Sequence, residues 1–164
     1  LARRECSRAE LARKLSAYLH KLDKLDKLDK LDKLDKLDKL DKLDKVDAES
    51  DTETLIAAVL DRLVDENLLS DARYAEMLGH SRAGRHGSVR LRQDLRHGGV
   101  SESDSETALN EARAGDLAQC HALWLRKFGA LPADLKERAR QMRFLLSRGF
   151  PGSVVSQVLA GLDD

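Results

Sequence analysis

The chain has 164 residues with 29 basic and 29 acidic side chains, so global charge selects no class of partner. Two cysteines exclude a disulfide framework, and no Cys/His grouping has the spacing of a zinc site, which makes a reducing cytoplasm the expected compartment. No apolar run is long enough to span a bilayer and none is built like a signal peptide, so no membrane association is expected.

Residues 1–6, opening on Leu1 without a methionine, read as the end of a helix, which points to a missing N-terminal segment or an unusual start. Ser7 and Glu10 form a capping box, followed by an apolar stripe of Leu11, Leu15 and Leu19 at helical spacing. Ser50 and Glu53 form a second box, opening a helix with Leu55, Ile56, Val59, Leu60 and Leu63 inward and an end near Asn67. Ser70 or Asp71 caps the next, which carries Tyr74, Met77 and Leu78 and stops before Gly84. Ser88 caps a short helix that turns Leu91 and Leu95 to the core and ends at Gly98-Gly99. Ser101 with Asp104 starts a helix to about Ala114, and Asp116 caps another that holds Leu117, Leu123, Trp124 and Phe128. A basic helix follows Pro132 and runs to Arg148. Pro151 opens the last, with Val154, Val155, Val158 and Leu159 apolar. Nothing alternates with period two over a useful length, so the fold class is all-α.

Between the first two capping boxes lie eight copies of Lys-Leu-Asp, from Lys21 to Asp44. Three residues advance an α-helix by about 300°, so successive leucines drift by about 60° and no apolar face forms. Each Asp but the last has a Lys four residues on, but like charges recur every three, so side-chain pairing is divided. The tract is either a solvated helix extending the preceding one or a fluctuating linker. The capped helix that feeds it favours the former.

One pattern occurs twice, fifty residues apart: a basic helix, a glycine, an apolar residue, then a second helix. The first copy has Gly99, Val100 and Leu109; the second has Gly149, Phe150 and Leu159 at the same offsets. Reuse of one helical unit indicates an array of similar modules, which presents a surface rather than enclosing a reaction. Charge follows the modules: residues 82–97 hold five arginines and one aspartate, and 126–148 hold seven basic residues against two acids.

These residues resemble the RecX family of regulatory proteins. The resemblance runs through LARRECSRAELARKL at 1–15, LLSDARYAEMLGHSRAGRHGSVRLRQDLRHGGVS at 68–101, WLRKFG at 124–129 and ERARQMRFLLSRGF at 137–150. It implies about nine helices in tandem three-helix modules, forming an elongated right-handed array. The first module would comprise 1–20 plus 48–69, the second 70–115 and the third 116–164, with 21–47 a low-complexity insert. It also implies a monomeric, non-enzymatic modulator of the RecA recombinase. Such a protein would lie along RecA filaments, contact single-stranded DNA within them, and impede extension, ATP hydrolysis and strand exchange. The family's Gly-Tyr-Gly-Pro motif is replaced here by Arg85-His86-Gly87-Ser88, which lacks the aromatic and the proline.

Arg82, Arg85, Arg90, Arg92 and Arg96 form the first candidate contact surface, because binding an acidic partner needs convergent cations. An ordinary solvated helix face is the competing reading. Arg138, Arg140, Arg143 and Arg148 form a second strip, in which Arg143 and Arg148 also suit carbonyls at a helix end. The alternative function is direct nucleic-acid binding, with Arg90, Arg92 and Arg96 along phosphates. His86, His97 and His121 lack ligand partners at helical or turn spacing, and no nucleophile–base pair or phosphate-cradling loop assembles. Neither cofactor, metal nor catalysis is expected.

Overall fold

The computed structural model describes residues 5–34 and 47–161, with side chains over 5–25 and 51–161. Among them are seven helices and no strand, in accord with the all-α reading. The helices are α1 (Arg8–Leu34), α2 (Asp47–Asp65), α3 (Asp71–Arg82), α4 (Ser88–His97), α5 (Glu102–Lys127), α6 (Leu135–Ser147) and α7 (Gly152–Ala160). The described residues divide into two compact units, one within Cys6–Ser70 and one formed by Asp71 onward together with Glu5.

In the unit of α1 and α2, Ser7 Oγ accepts the Glu10 N–H at 3.0 Å and so caps α1. Leu11 and Leu15 pack with Ile56, Leu60 and Leu63 of α2 and with Leu69. The third member of the expected stripe, Leu19, is exposed, as are Tyr18, Leu22 and Leu25. Helix α1 thus enters the Lys-Leu-Asp tract without an apolar face, and residues 35–46 of the tract lie outside the described residues. Helix α2 begins at Asp47, which places Ser50 inside its first turn rather than ahead of it. Leu55 and Val59 are exposed instead of inward. Against the single partner helix α1, α2 buries only the narrow row Ile56, Leu60 and Leu63, and residues one position earlier point about 100° away. Its end is a Schellman turn: Asn67 has φ 58°, and Leu68 N–H reaches the Leu63 carbonyl at 2.8 Å.

The larger unit has two cores. Tyr74, Ala75 and Leu78 of α3, Leu91 and Leu95 of α4, Val100, and Ala108 and Leu109 of α5 form one. Cys120, Leu123 and Trp124 of α5, Leu145 of α6, Phe150, and Val155, Val158 and Leu159 of α7 form the other. Where the sequence suggests separate helices at 101–114 and 116–128, α5 is continuous for 26 residues and serves both cores. Asp116 does not cap its own helix. Its carboxylate accepts the Ser88 N–H at 2.9 Å and the Ser88 hydroxyl at 2.6 Å, at the start of α4. An interior Gly115 costs α5 about 1 kcal/mol, an amount that packing at both ends readily offsets.

The duplicated glycine-apolar pattern is a duplicated Schellman turn. Gly99 (φ 74°) lets Val100 N–H reach the Leu95 carbonyl at 3.1 Å, and Gly149 (φ 81°) lets Phe150 N–H reach Leu145 at 3.4 Å. Each turn delivers its apolar residue to the adjoining core. Ser101 caps α5 as expected, accepting the Asp104 N–H at 3.1 Å. Pro151 sits one position before α7 rather than within it.

One buried polar pair in the last core left no mark in the local pattern. Trp124 Nε1–H donates to Gln141 Oε1 at 2.7 Å, and Gln141 Nε2 donates to the Ala130 carbonyl at 3.3 Å. Gln141→Leu orphans the indole N–H and should cost about 1–3 kcal/mol in chemical denaturation. Unchanged stability would show that this pair contributes nothing.

Candidate functional site

The two cores of the larger unit meet at the N-terminus of α4. An isolated helix leaves its first amide N–H groups without acceptors. Here Gly87 N–H donates to the Arg148 carbonyl and Val89 N–H to the Gly149 carbonyl, both at 3.0 Å, while Ser88 N–H goes to Asp116. The C-terminal turn of α6 and a carboxylate of α5 therefore cap α4. Gly87 is the N-cap residue, a position the sequence reading assigned to Ser88. Burial raises the Asp116 pKa above its ordinary value, and the two Ser88 hydrogen bonds, with Arg113, oppose that shift.

This backbone junction gathers part of the candidate arginine set. Arg82, from the last turn of α3, places Nη2 2.9 Å from Asp94 Oδ2, and Arg90 places Nε 3.1 Å from Asp94 Oδ1. His86 lies among them. Burial, then the charges of Arg82, Arg148 and Arg90, hold its imidazole below the ordinary pKa, with Asp94 opposing. Arg148 enters from the end of α6, its guanidinium 5.2 Å from the Phe144 ring centre. Two guanidinium groups thus hold one carboxylate, and the Arg148 charge acts on the neighbouring His86.

The other arginines lie elsewhere. On α4, Arg92 and Arg96 are turned by roughly 120–160° from Arg90 and Asp94, so the α4 arginines do not share one face. Arg96 pairs with Glu102 at 3.4 Å, both exposed, and Arg92 makes no ion pair among the described residues. Arg85 Nη2 donates to the Ser81 carbonyl at 2.8 Å. Arg138 Nη1 donates to the Leu159 carbonyl at 3.4 Å, near the end of α7, and Arg143 Nε to Ala139 at 3.3 Å within its own helix. Arg140 is exposed and unpaired among the described residues.

Sequence reasoning missed Asp94 as a hub, although its i, i+4 spacing from Arg90 was a readable signal. Asp116 and the glycine contacts carried no such local signal. Beside the cluster, a cleft of about 200 Å³ is lined by Arg82 and His86 together with Glu76 and Glu111. The described residues contain no group of three or more metal-ligating side chains, and no helix among them is long and apolar enough to cross a membrane. Cys120 is fully buried and its thiol is pushed up to about 11, mainly by burial, so it is an inert core residue.

A shared helix carrying two small cores, joined by glycine turns and lined outside with arginine, defines a tandem three-helix surface-presenting protein. Two family models describe this same architecture: the RecX second three-helix domain matches residues 70–109, and the RecX third three-helix domain matches 115–159. The RecX regulatory proteins of Ralstonia nicotianae and Ralstonia pickettii are 35% and 37% identical to this chain, across 99% and 100% of it and 83% and 84% of their own lengths. That of Leptothrix cholodnii is 40% identical over 97% of this chain and 82% of its own. The chain belongs to the RecX family.

Proposed function

We propose that this chain is a non-enzymatic, cytoplasmic regulator of the RecA recombinase that binds RecA–single-stranded DNA filaments as a monomer. Binding limits filament extension, ATP hydrolysis and strand exchange. Family membership and the regulatory naming of the relatives support the reading. The structural observation that carries it is the backbone capping of α4 by the end of α6. This joins two modules into one stiff body with arginines on several outer faces, as a ligand spanning adjacent filament subunits requires. Many weak contacts to a repeating partner then add through effective concentration. The contact set comprises Arg82, Arg85, Arg90, Arg92, Arg96, Arg138, Arg140, Arg143 and Arg148. The division into three modules, with the Lys-Leu-Asp tract as an insertion in the first, belongs to the same reading.

Titrating the protein into RecA hydrolysing ATP on single-stranded DNA tests this. Inhibition at substoichiometric amounts is expected. The double variant Arg92→Glu/Arg96→Glu should raise the half-inhibitory concentration roughly tenfold, about 1.4 kcal/mol, without loss of helicity. Wild-type potency in that variant would remove these two residues from the interface. Steeply salt-dependent binding to naked DNA with no effect on RecA would instead mark a direct nucleic-acid binder.

A further inference from the structure

The Arg82–Asp94–Arg90 cluster is not a completed ion-pair network. Arg82 Nη2 approaches Asp94 Oδ2 at 2.9 Å, yet that oxygen has no aligned hydrogen bond, and Arg82 Nε and His86 Nδ1 are likewise buried without partners. The Arg148 charge also acts on His86, while its guanidinium lies 5.2 Å from the Phe144 ring centre. Two guanidinium groups share the one carboxylate they contact, at a partly desolvated point where like charges repel strongly. The Arg82 and Arg90 side chains nevertheless remain 36% and 49% exposed, so an incoming group reaches them without unfolding the module.

From this geometry we infer that Arg82 and Arg90 form a receptor for a carboxylate side chain of the protein partner, with Asp94 as the internal occupant it competes with. The inference rests on the proposed filament-binding role and adds its ligand chemistry and its regulation. A carboxylate is the ligand because one is already held there, at 2.9 Å and 3.1 Å from two guanidinium groups. A nucleic-acid backbone suits the place less well. Its successive phosphates would meet Glu76 and Glu111, which line the cleft together with Arg82 and His86, whereas a single acidic side chain needs only the two guanidinium groups that hold Asp94. In the free protein Asp94 lowers the cluster's attraction for passing anions. A well-placed partner carboxylate supplies the missing acceptors and releases Asp94 to solvent.

The Asp94→Asn variant removes the competitor at nearly constant shape. It should lower the concentration for half-inhibition of RecA ATPase roughly five- to tenfold and leave affinity for a naked oligothymidylate unchanged. Weaker or unchanged inhibition by a folded Asp94→Asn protein overturns the inference, and so does an equal gain on the oligothymidylate. A second measurement needs neither RecA nor the variant: the Arg Nε–Hε NMR signals of the full chain, titrated with oligoglutamate and, separately, with oligothymidylate. Saturable shifts of Arg82 and Arg90 with oligoglutamate support the receptor even where RecA fails to bind, a result that would sink only the filament-binding role. Shifts with oligothymidylate alone, or with neither probe, overturn the receptor.

Discussion

Gly149→Ala should separate the two cores of the larger unit, with an expected loss of 3 kcal/mol or more, on the order of the largest single-site effects. Two costs combine. The residue holds φ 81°, a left-handed conformation that costs an L-residue about 1–2 kcal/mol. A Cβ placed there would also overlap Arg90 Cβ and lie 2.6 Å from the Arg90 nitrogen, a contact that no rotamer change relieves because it involves backbone. Relief requires the end of α6 to withdraw from α4, which strips the Gly87 and Val89 amides of their acceptors. Gly84→Ala is the control, since Gly84 has φ 71° with nothing within 4 Å of its would-be Cβ. It should show the conformational cost alone. Denaturation midpoints for the two variants separate strain from collision, and equal losses would show that the close approach contributes nothing. Gly87→Ala should resemble Gly149→Ala, because its Cβ would sit 2.7 Å from the Phe150 Cα.

Asp116→Ala is expected to be of similar size. Asp116 is 2% exposed, and its carboxylate is the acceptor for both the Ser88 N–H and the Ser88 hydroxyl. Removal leaves two buried donors unsatisfied at about 1–3 kcal/mol each, together with a cavity in the middle of α5. Asp116→Asn retains one acceptor oxygen and should lose much less. Paired with Ser88→Ala, Asp116→Ala should show strong non-additivity in a double-mutant cycle. Additive effects would mean that the two residues stabilise the fold independently. Loss of RecA inhibition in parallel with junction stability would support the view that coupling between the modules is what the partner reads.

The helical class, the duplicated turn and most of both cores were legible from periodicity and glycine placement. Val100 and Phe150 follow left-handed glycines for a reason contained within six residues of chain, the 6→1 bond of the Schellman turn. The drift of the Lys-Leu-Asp leucines is equally local, and Leu22 and Leu25 are exposed accordingly. The failures were of another kind. Asp116 has the signature of an N-cap, but the amide its carboxylate accepts belongs to Ser88, 28 residues earlier at the start of α4. The arginines of 82–97 read as one basic stretch, although α4 sends Arg90 and Arg92 to opposite flanks and gives Arg82 and Arg90 to Asp94.

What a residue does within one helix or one turn could therefore be settled from the chain alone, because hydrogen-bond geometry at that range depends on a handful of neighbours. That placed the helical class, the glycine stops and the family, but not the continuity of α5, which makes seven described helices where about nine were expected. Which helix receives a cap, which glycines must touch and which arginines converge were decided only by packing. The cap and glycine partners are 28 to 62 residues apart in the chain, a range over which no spacing rule operates and where burial makes every backbone donor find whatever acceptor the neighbouring module brings.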